Sequence, residues 1–335
     1  MKTRMLWIAL FAAAGTMAAS AETITAAGAT FPAPIYQKWF EEFHKAHPDI
    51  QINYQAIGSG GGIRQIIEGT VDFGASDVPM TDEQMSKVTK YKVLHFPTVL
   101  GGIVPTYNVP GATLNFSGAT LAGIYLGNIK KWNDAALKKD NPSANLPNED
   151  ITVIHRSDGS GTSFVFTDYL AKVSPEWKTK VGVNASVNWP VGLGGKGNEG
   201  VAGLVKQTPN SIGYVELIYA VQNKMEYGSL KNAAGNFVKA DFNTVSEAAA
   251  GAAKDMPADF RVSINNAPGK NAYPLSSFTW LLIPDKIADA TKKKSVIDFL
   301  QWMLTTGQAD AQGLSYAPLP KAVVAKEQKQ IALIK

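Results

Sequence analysis

Apolar and β-branched residues of this chain gather in short runs, separated by glycine turns and by longer stretches with helical apolar spacing. Thr23–Ala27 and the alternating run Gln51–Ile57 predict strands. Between them Ile35, Trp39 and Phe43 recur at i, i+4 and i+8, with Tyr36 and Phe40 beside them, which predicts a helix over 33–46 with one apolar face. Pro32 and Pro34 fall where a first helical turn tolerates proline. Ile63, Ile66 and Ile67 mark a helix over 61–68, and Val71–Asp77 reads as a further strand-like run. Lys92–Thr106 is a long β-rich run broken by Gly101-Gly102, expected to pass from one lobe to another. A helix over 119–126, a strand over 151–156, a helix over 163–173 and a glycine loop over Gly192–Gly200 follow. Tyr273–Ile283 is expected to return to the first lobe, and a helix over 294–305 and a polar tail finish the chain. Strand–helix alternation predicts an α/β fold of parallel sheets covered by helices. The expected division is a first lobe over 22–99 and 274–335 and a second over 100–273.

The start of the chain has a different pattern. Lys2 and Arg4 precede an apolar core over Met5–Ala14, and Ala19-Ser20-Ala21 fits the small-residue cleavage rule. Residues 1–21 are therefore expected to be a secretory signal peptide cut after Ala21, with the product soluble in the periplasm. The apolar core is too short to span a bilayer. Of the formal charge of +4, two units lie in that leader, so the mature balance gives no argument for nucleic acid or a lipid surface. The chain has no cysteine, which excludes disulfides, thiol catalysis, zinc–thiolate sites and an N-terminal lipid anchor. Without a heptad pattern, a monomer is expected.

Three glycine turns carry the candidate chemistry. Ser157-Asp158-Gly159-Ser160-Gly161-Thr162-Ser163 joins the strand ending at Arg156 to the helix that follows. A helix start exposes unpaired N–H groups and a partial positive charge, and so favours an anion. Arg156 can fork onto an oxyanion, and Ser160 and Thr162 add hydroxyl donors. The same residue types are also ordinary helix caps. What favours a ligand is repetition: Ala27-Gly28-Ala29-Thr30-Phe31-Pro32-Ala33-Pro34 and Gly58-Ser59-Gly60-Gly61-Gly62 are built the same way. Four glycines in the latter let backbone approach a ligand closely, at an entropic cost.

Other chemistries find less support. Gly192-Leu193-Gly194-Gly195-Lys196-Gly197 formally matches a dinucleotide fingerprint, with Glu216 about 20 residues on. It sits deep in a secreted chain, where a flexible loop is the better reading. No G-x-S-x-G, H-E-x-x-H or Walker A sequence occurs. His44 and His47 share a polar helix end, while His95 and His155 stand alone in apolar strands. No catalytic residue, metal site or cofactor is assigned.

Asp77 sharpens the anion hypothesis. It ends a strand-like run, where α/β folds bind ligands. An ionised carboxylate only accepts hydrogen bonds, so it suits an anion that carries a proton, as phosphate does at neutral pH and sulfate does not. A site built around such a partner can reject the analogue lacking the proton by roughly 10⁴-fold or more. The alternative is a turn residue before Val78-Pro79, and the residues alone leave the two level.

Together with Asp72-Phe73-Gly74-Ala75-Ser76-Asp77, Gly194-Gly195-Lys196-Gly197-Asn198 and Ile212-Gly213-Tyr214-Val215-Glu216, these turns stand in an order that closely resembles the family of periplasmic phosphate-binding proteins of the high-affinity phosphate ABC transporter. The likeness covers essentially the whole mature chain. It implies a two-lobed (type II) periplasmic binding protein, each lobe a central sheet flanked by helices, joined by hinge strands. It implies that inorganic phosphate is bound in the cleft and delivered to a membrane-embedded ABC permease. The family's ligand residues fall here on Thr30, Phe31 (through its N–H), Ser59, Asp77, Arg156, Ser160, Gly161 and Thr162, with Asp158 holding Arg156. Many relatives carry a second serine where this chain has Gly60. A secreted phosphatase or phosphotransferase on a related scaffold, or a binding module for another oxyanion such as arsenate or sulfate, are the rival readings.

Overall fold

The computed structural model describes residues 21–335. The expected signal peptide and its apolar core therefore lie outside the described residues, apart from Ala21.

The chain begins with β1 (Glu22–Gly28), α1 (Ala33–Ala46), β2 (Ile50–Ala56), α2 (Ser59–Glu68) and β3 (Phe73–Ser76). β1 pairs in parallel with both β2 and β3, as strand–helix alternation requires. Pro32 occupies the N-cap of α1 and Pro34 its first turn, and Ile35, Tyr36, Trp39, Phe40 and Phe43 are all buried on its apolar face. A short α3 (Asp82–Ser86), closed by a Thr81–Gln84 capping box, leads to β4 (Val93–Tyr107), a strand of 15 residues.

Next come β5 (Asn115–Phe116), α4 (Gly118–Tyr125), α5 (Ala135–Asp140), β6 (Thr152–Arg156), α6 (Gly161–Val173), α7 (Pro175–Lys180), β7 (Leu193–Gly195) and α8 (Gly197–Gln207). β8 (Ser211–Glu216), α9 (Leu217–Gln222), β9 (Glu226–Tyr227), β10 (Ser229–Lys231), β11 (Phe237–Val238) and α10 (Phe242–Lys254) follow. The chain ends with β12 (Ser276–Pro284), α11 (Ala290–Thr305) and α12 (Lys321–Gln330).

One sheet has the order β2-β1-β3-β12-β4-β8-β6-β7, with β9 beside β4, and a smaller sheet has the order β11-β10-β5. β4 changes partner along its length. Val93–Gly102 pairs antiparallel with β12, and Ile103–Tyr107 pairs antiparallel with β8. Each side of that switch has its own aromatic packing. Phe40, Phe43, Phe73 and Phe299 pack ring to ring on the first side. On the second, Phe166 and Tyr214 stack at 4.1 Å between ring centroids, with Tyr125 against both. Full burial of one such side chain contributes roughly 1.5–3 kcal/mol. The architecture is the two-lobed α/β arrangement.

Three expectations need correction. Gly101-Gly102 does not break the long strand: β4 runs through both. A Cβ at Gly101 would lie 2.5 Å from Phe31 Cζ and 2.9 Å from Glu216 Oε1, so glycine there admits a close approach instead of a turn. The segment Gly192–Gly200 is no flexible loop, since it forms β7, which pairs with β6, and the first turn of α8. The C-terminal segment is not a polar tail. α12 buries Val323, Glu327 and Gln330, because an amphipathic helix hides one stripe even where its composition is polar.

Candidate functional site

Each glycine turn becomes a helix start. β1 runs through Thr30 and Phe31 into α1, β2 through Gly58 into α2, and β6 through Ser157–Ser160 into α6. The first N–H groups of a helix have no partner within it. Among the described residues Phe31 N has no hydrogen-bond acceptor.

Two of the three turns meet around one carboxylate, and the first is joined to them through Asn198, whose Nδ2 donates to Thr30 Oγ1 and to Thr162 Oγ1. Ser59 Oγ and Thr162 Oγ1 donate to Asp77 Oδ2 at 3.3 and 3.4 Å, and Thr279 Oγ1 donates to Asp77 Oδ1 at 3.0 Å. Ser59 Oγ also accepts from Asp77 N at 3.1 Å. Thr30, Ser59, Asp77, Arg156, Ser160 and Thr162 are all buried, although none is apolar. A Cβ on Gly161 would stand 2.3 Å from Ser59 Oγ and 2.7 Å from Asp77 Cβ, so the start of α6 reaches the start of α2 only because position 161 has no side chain. Gly60 N donates to Gly159 O at 2.9 Å across the same gap.

Arg156 ends β6, and among the described residues it is the only buried lysine or arginine. Its Nε and Nη2 donate to the two oxygens of Asp158 at 2.7 and 2.6 Å, a bidentate fork. Its Nη1 is buried with no partner. Burial works against its charge, but the hydrogen bonds and charge of Asp158 outweigh that and leave the guanidinium above its ordinary pKa. Burial likewise works against the Asp158 carboxylate, while Arg156 and the donating Gly197 N hold its pKa below the usual range.

Burial pushes the Asp77 pKa up to about 7. The donating Thr279 hydroxyl, the charge of Arg156 and the Ser59 and Thr162 hydroxyls pull the other way. Asp77 thus sits near its titration point, able to share a proton with whatever faces it.

Of the nine sequence-selected residues, Ser59, Asp77, Gly161 and Thr162 meet directly, the charge of Arg156, paired with Asp158, acts on Asp77, Thr30 is joined through Asn198, and Phe31 and Ser160 adjoin Thr30 and Gly161 in the chain. Ser160 serves both readings, since its Oγ accepts from Ser163 N at 3.0 Å as a cap and keeps its own proton to donate. Sequence reasoning missed Thr279, which lies 202 residues from Asp77 in the chain. It also assigned no role to Asn198 or Tyr219. Asn198 is buried at the start of α8, a fourth helix N-terminus, and donates to Thr30 Oγ1. Its only signal was the Gly194–Asn198 run itself.

The other candidate groups are accounted for locally. Within the fingerprint-like run, Gly197 N donates to the protein's own Asp158, and Glu216 caps α9 by accepting from Ile218 N. His95 Nε2 accepts from Met80 N, and burial pulls its pKa down to about 4. His155 stacks on Trp189 and His47 on Phe43. Among the described residues no cluster of three or more metal-ligating side chains occurs, and no helix is long and apolar enough to cross a membrane.

Known proteins resemble this chain over most of its length. A family model described as the PBP superfamily domain matches residues 13–306. The chain is 45% identical over 333 residues to the phosphate-binding protein PstS of Pasteurella multocida, covering 98% of this chain and 96% of that one. It is 46% identical to the protein of that name from Haemophilus influenzae, with 93% of each covered, and 47% identical to the one from Xylella fastidiosa, with 90% and 82% covered. Among solved structures, one described as a high-affinity periplasmic phosphate-binding protein bound with phosphate superposes with a TM-score of 0.73 at 20% identity, over 92% of this chain and 93% of that one. A phosphate-binding protein from Stenotrophomonas maltophilia superposes with a TM-score of 0.69 at 18% identity, over 92% and 93%. At such identities the likeness is one of fold.

Proposed function

The chain belongs to the PstS family of phosphate-binding proteins within the PBP superfamily, and we propose that it captures inorganic phosphate between its two lobes for delivery to an ABC permease. The observation that carries this reading is the unpartnered Nη1 of Arg156. A buried guanidinium N–H without an acceptor is costly, and an anion set among three helix starts supplies the acceptor.

In this reading the Phe31 N–H, the helix start at Gly161, and the hydroxyls of Thr30 and Ser160 donate to phosphate oxygens, and the Ser59 and Thr162 hydroxyls turn their protons from Asp77 to the anion. Arg156 adds the formal charge, and Asp158 aims it. Asp77 reads the anion's proton. Monobasic and dibasic phosphate bring a proton for the Asp77 carboxylate to accept, whereas sulfate brings none. The donors are fixed by the fold, so they replace hydration without reorganising.

Closure is a motion of the lobes on hinge strands. The partner switch within β4, at Gly102/Ile103, and its pairing with β12 support a division into 22–99 with 274–335 and 100–273. The same reading places the mature protein in the periplasm, begun at Glu22 after cleavage, as a monomeric binding protein and not an enzyme.

Isothermal titration of the mature, phosphate-stripped protein tests it. One-to-one heat with phosphate and none with sulfate at pH 8 is the expected result. Folded protein with no phosphate heat would overturn the assignment, and release of phosphate from a phosphomonoester would move the protein into the hydrolase class.

A further inference from the structure

Thr30 is gripped from across the cleft by two residues outside the proposed anion shell. Asn198, fully buried at the start of α8, donates from its backbone N at 3.1 Å and from Nδ2 at 2.9 Å, both to Thr30 Oγ1. Nδ2 also lies 3.3 Å from Thr162 Oγ1, and Oδ1 accepts from Glu216 N at 3.0 Å, which fixes the amide's orientation. Tyr219, on α9, donates its hydroxyl to the Thr30 carbonyl at 2.5 Å.

These contacts change what Thr30 and Phe31 can do. A threonine hydroxyl has one proton and two lone pairs. Two N–H donors from Asn198 fill both lone pairs of Oγ1, so the Thr30 proton can only be given outward. The Thr30 carbonyl and the Phe31 N–H belong to one peptide group. A hydrogen bond at the oxygen polarises that amide and strengthens its N–H as a donor. Thr30 follows β1, on the β12 side of the β4 switch, while α8 and α9 flank β8 on the other side. Both grips therefore require the lobes to be together.

We infer that Asn198 and Tyr219 form a closure-dependent clasp on Thr30, which makes the Thr30 hydroxyl and the Phe31 N–H committed anion donors only once the lobes have met. The inference rests on the phosphate reading above. Neither residue touches the anion, so both are positioning residues, and their effect falls on release: opening the lobes frees the clasp and weakens two anion donors in the same motion. The anion's residence time is set by this clasp as well as by Arg156.

The test is stopped-flow phosphate binding and dissociation, read by tryptophan fluorescence, on wild type, Tyr219→Phe, Asn198→Ala, Thr30→Val and the Asn198→Ala/Thr30→Val double variant. Tyr219→Phe removes one hydroxyl and keeps the ring, so it leaves packing intact even if Asn198→Ala does not fold. Each clasp variant is expected to speed dissociation by about five- to tenfold with association changed by less than about twofold, because interface losses fall on the off-rate. The melting temperature of phosphate-free Tyr219→Phe is expected to stay at the wild-type value. In the Thr30→Val background, Asn198→Ala should add less than about twofold, since its target is gone. Wild-type dissociation from Tyr219→Phe, or the same penalty from Asn198→Ala with and without Thr30, would overturn the clasp. A wild-type protein that fails to bind phosphate would instead sink the functional reading beneath it.

Discussion

Asp77 is held near pKa 7 by burial, and the consequence can be followed by sign. In the unfolded chain its carboxyl titrates near 3.8. Between roughly pH 4 and 7 the closed form therefore binds a proton that the unfolded chain has released. Asp77 contributes stability to that closed form that is full below about pH 4 and is lost as pH rises to about 7, up to ~4 kcal/mol at about 1.4 kcal/mol per pKa unit. Asp77→Asn removes this slope. The same proton governs selectivity. Sulfate binds only if Asp77 supplies the proton, so its affinity should rise by up to about tenfold for each unit that pH falls toward 7 from above, with up to one proton taken up per anion. Calorimetry in buffers of different ionisation enthalpy measures that uptake, and Asp77→Asn should abolish it. Arg156→Ala should weaken phosphate binding by about 2–5 kcal/mol, tens- to thousands-fold, because a buried charge contact is lost and Asp158 is left without its partner. Titration giving wild-type affinity would remove Arg156 from the site.

The helix starts that carry these side chains were legible because their signals are local. α1 spans 33–46 as the apolar spacing predicts, and the glycine turns before α2 and α6 are visible as composition. α6 begins at Gly161, two residues earlier than expected, because Ser160 caps it. What stayed hidden depends on the sheet order. Thr279 reaches Asp77 only because β12 inserts between β3 and β4, and Tyr219 reaches Thr30 across 189 residues of sequence. Gly101 was misread for the same reason: its neighbour Phe31 is supplied by another element. Gly161 gives a test that belongs to this scale. A methyl group there meets Ser59 and Asp77, which lie on the other side of the β4 partner switch, and under the proposed hinge it does so only when the two helix starts approach. Gly161→Ala should weaken phosphate binding by at least about tenfold, as overpacking at a tight contact costs about 1–3 kcal/mol. Denaturation of the phosphate-free protein should be unchanged to within about 0.5 kcal/mol, since the clash is absent from an opened form. A large loss of phosphate-free stability would place the clash within one rigid body and contradict the hinge.

The molecule as a whole is two helix-covered half-sheets sharing β4, whose partner changes midway. The proposed closure is a rotation of the halves about that switch. The proposed anion shell is divided between them, with Thr30, Phe31, Ser59 and Asp77 on one side and Arg156, Ser160, Gly161 and Thr162 on the other. Under that proposal neither half alone satisfies an oxyanion, so binding and closure are one equilibrium. Phosphate should therefore compact the protein and stabilise it together. Small-angle scattering should show a smaller radius of gyration with phosphate than without. At phosphate a hundredfold above the dissociation constant, the fold should gain about 2.7 kcal/mol and melt several degrees higher. Arg156→Ala at the same phosphate concentration should gain less than about 1 kcal/mol and compact less than wild type. The two readouts are joined by the divided shell: stabilisation without compaction would mean that one lobe binds the anion by itself, and the clasp on Thr30 would then have nothing to close.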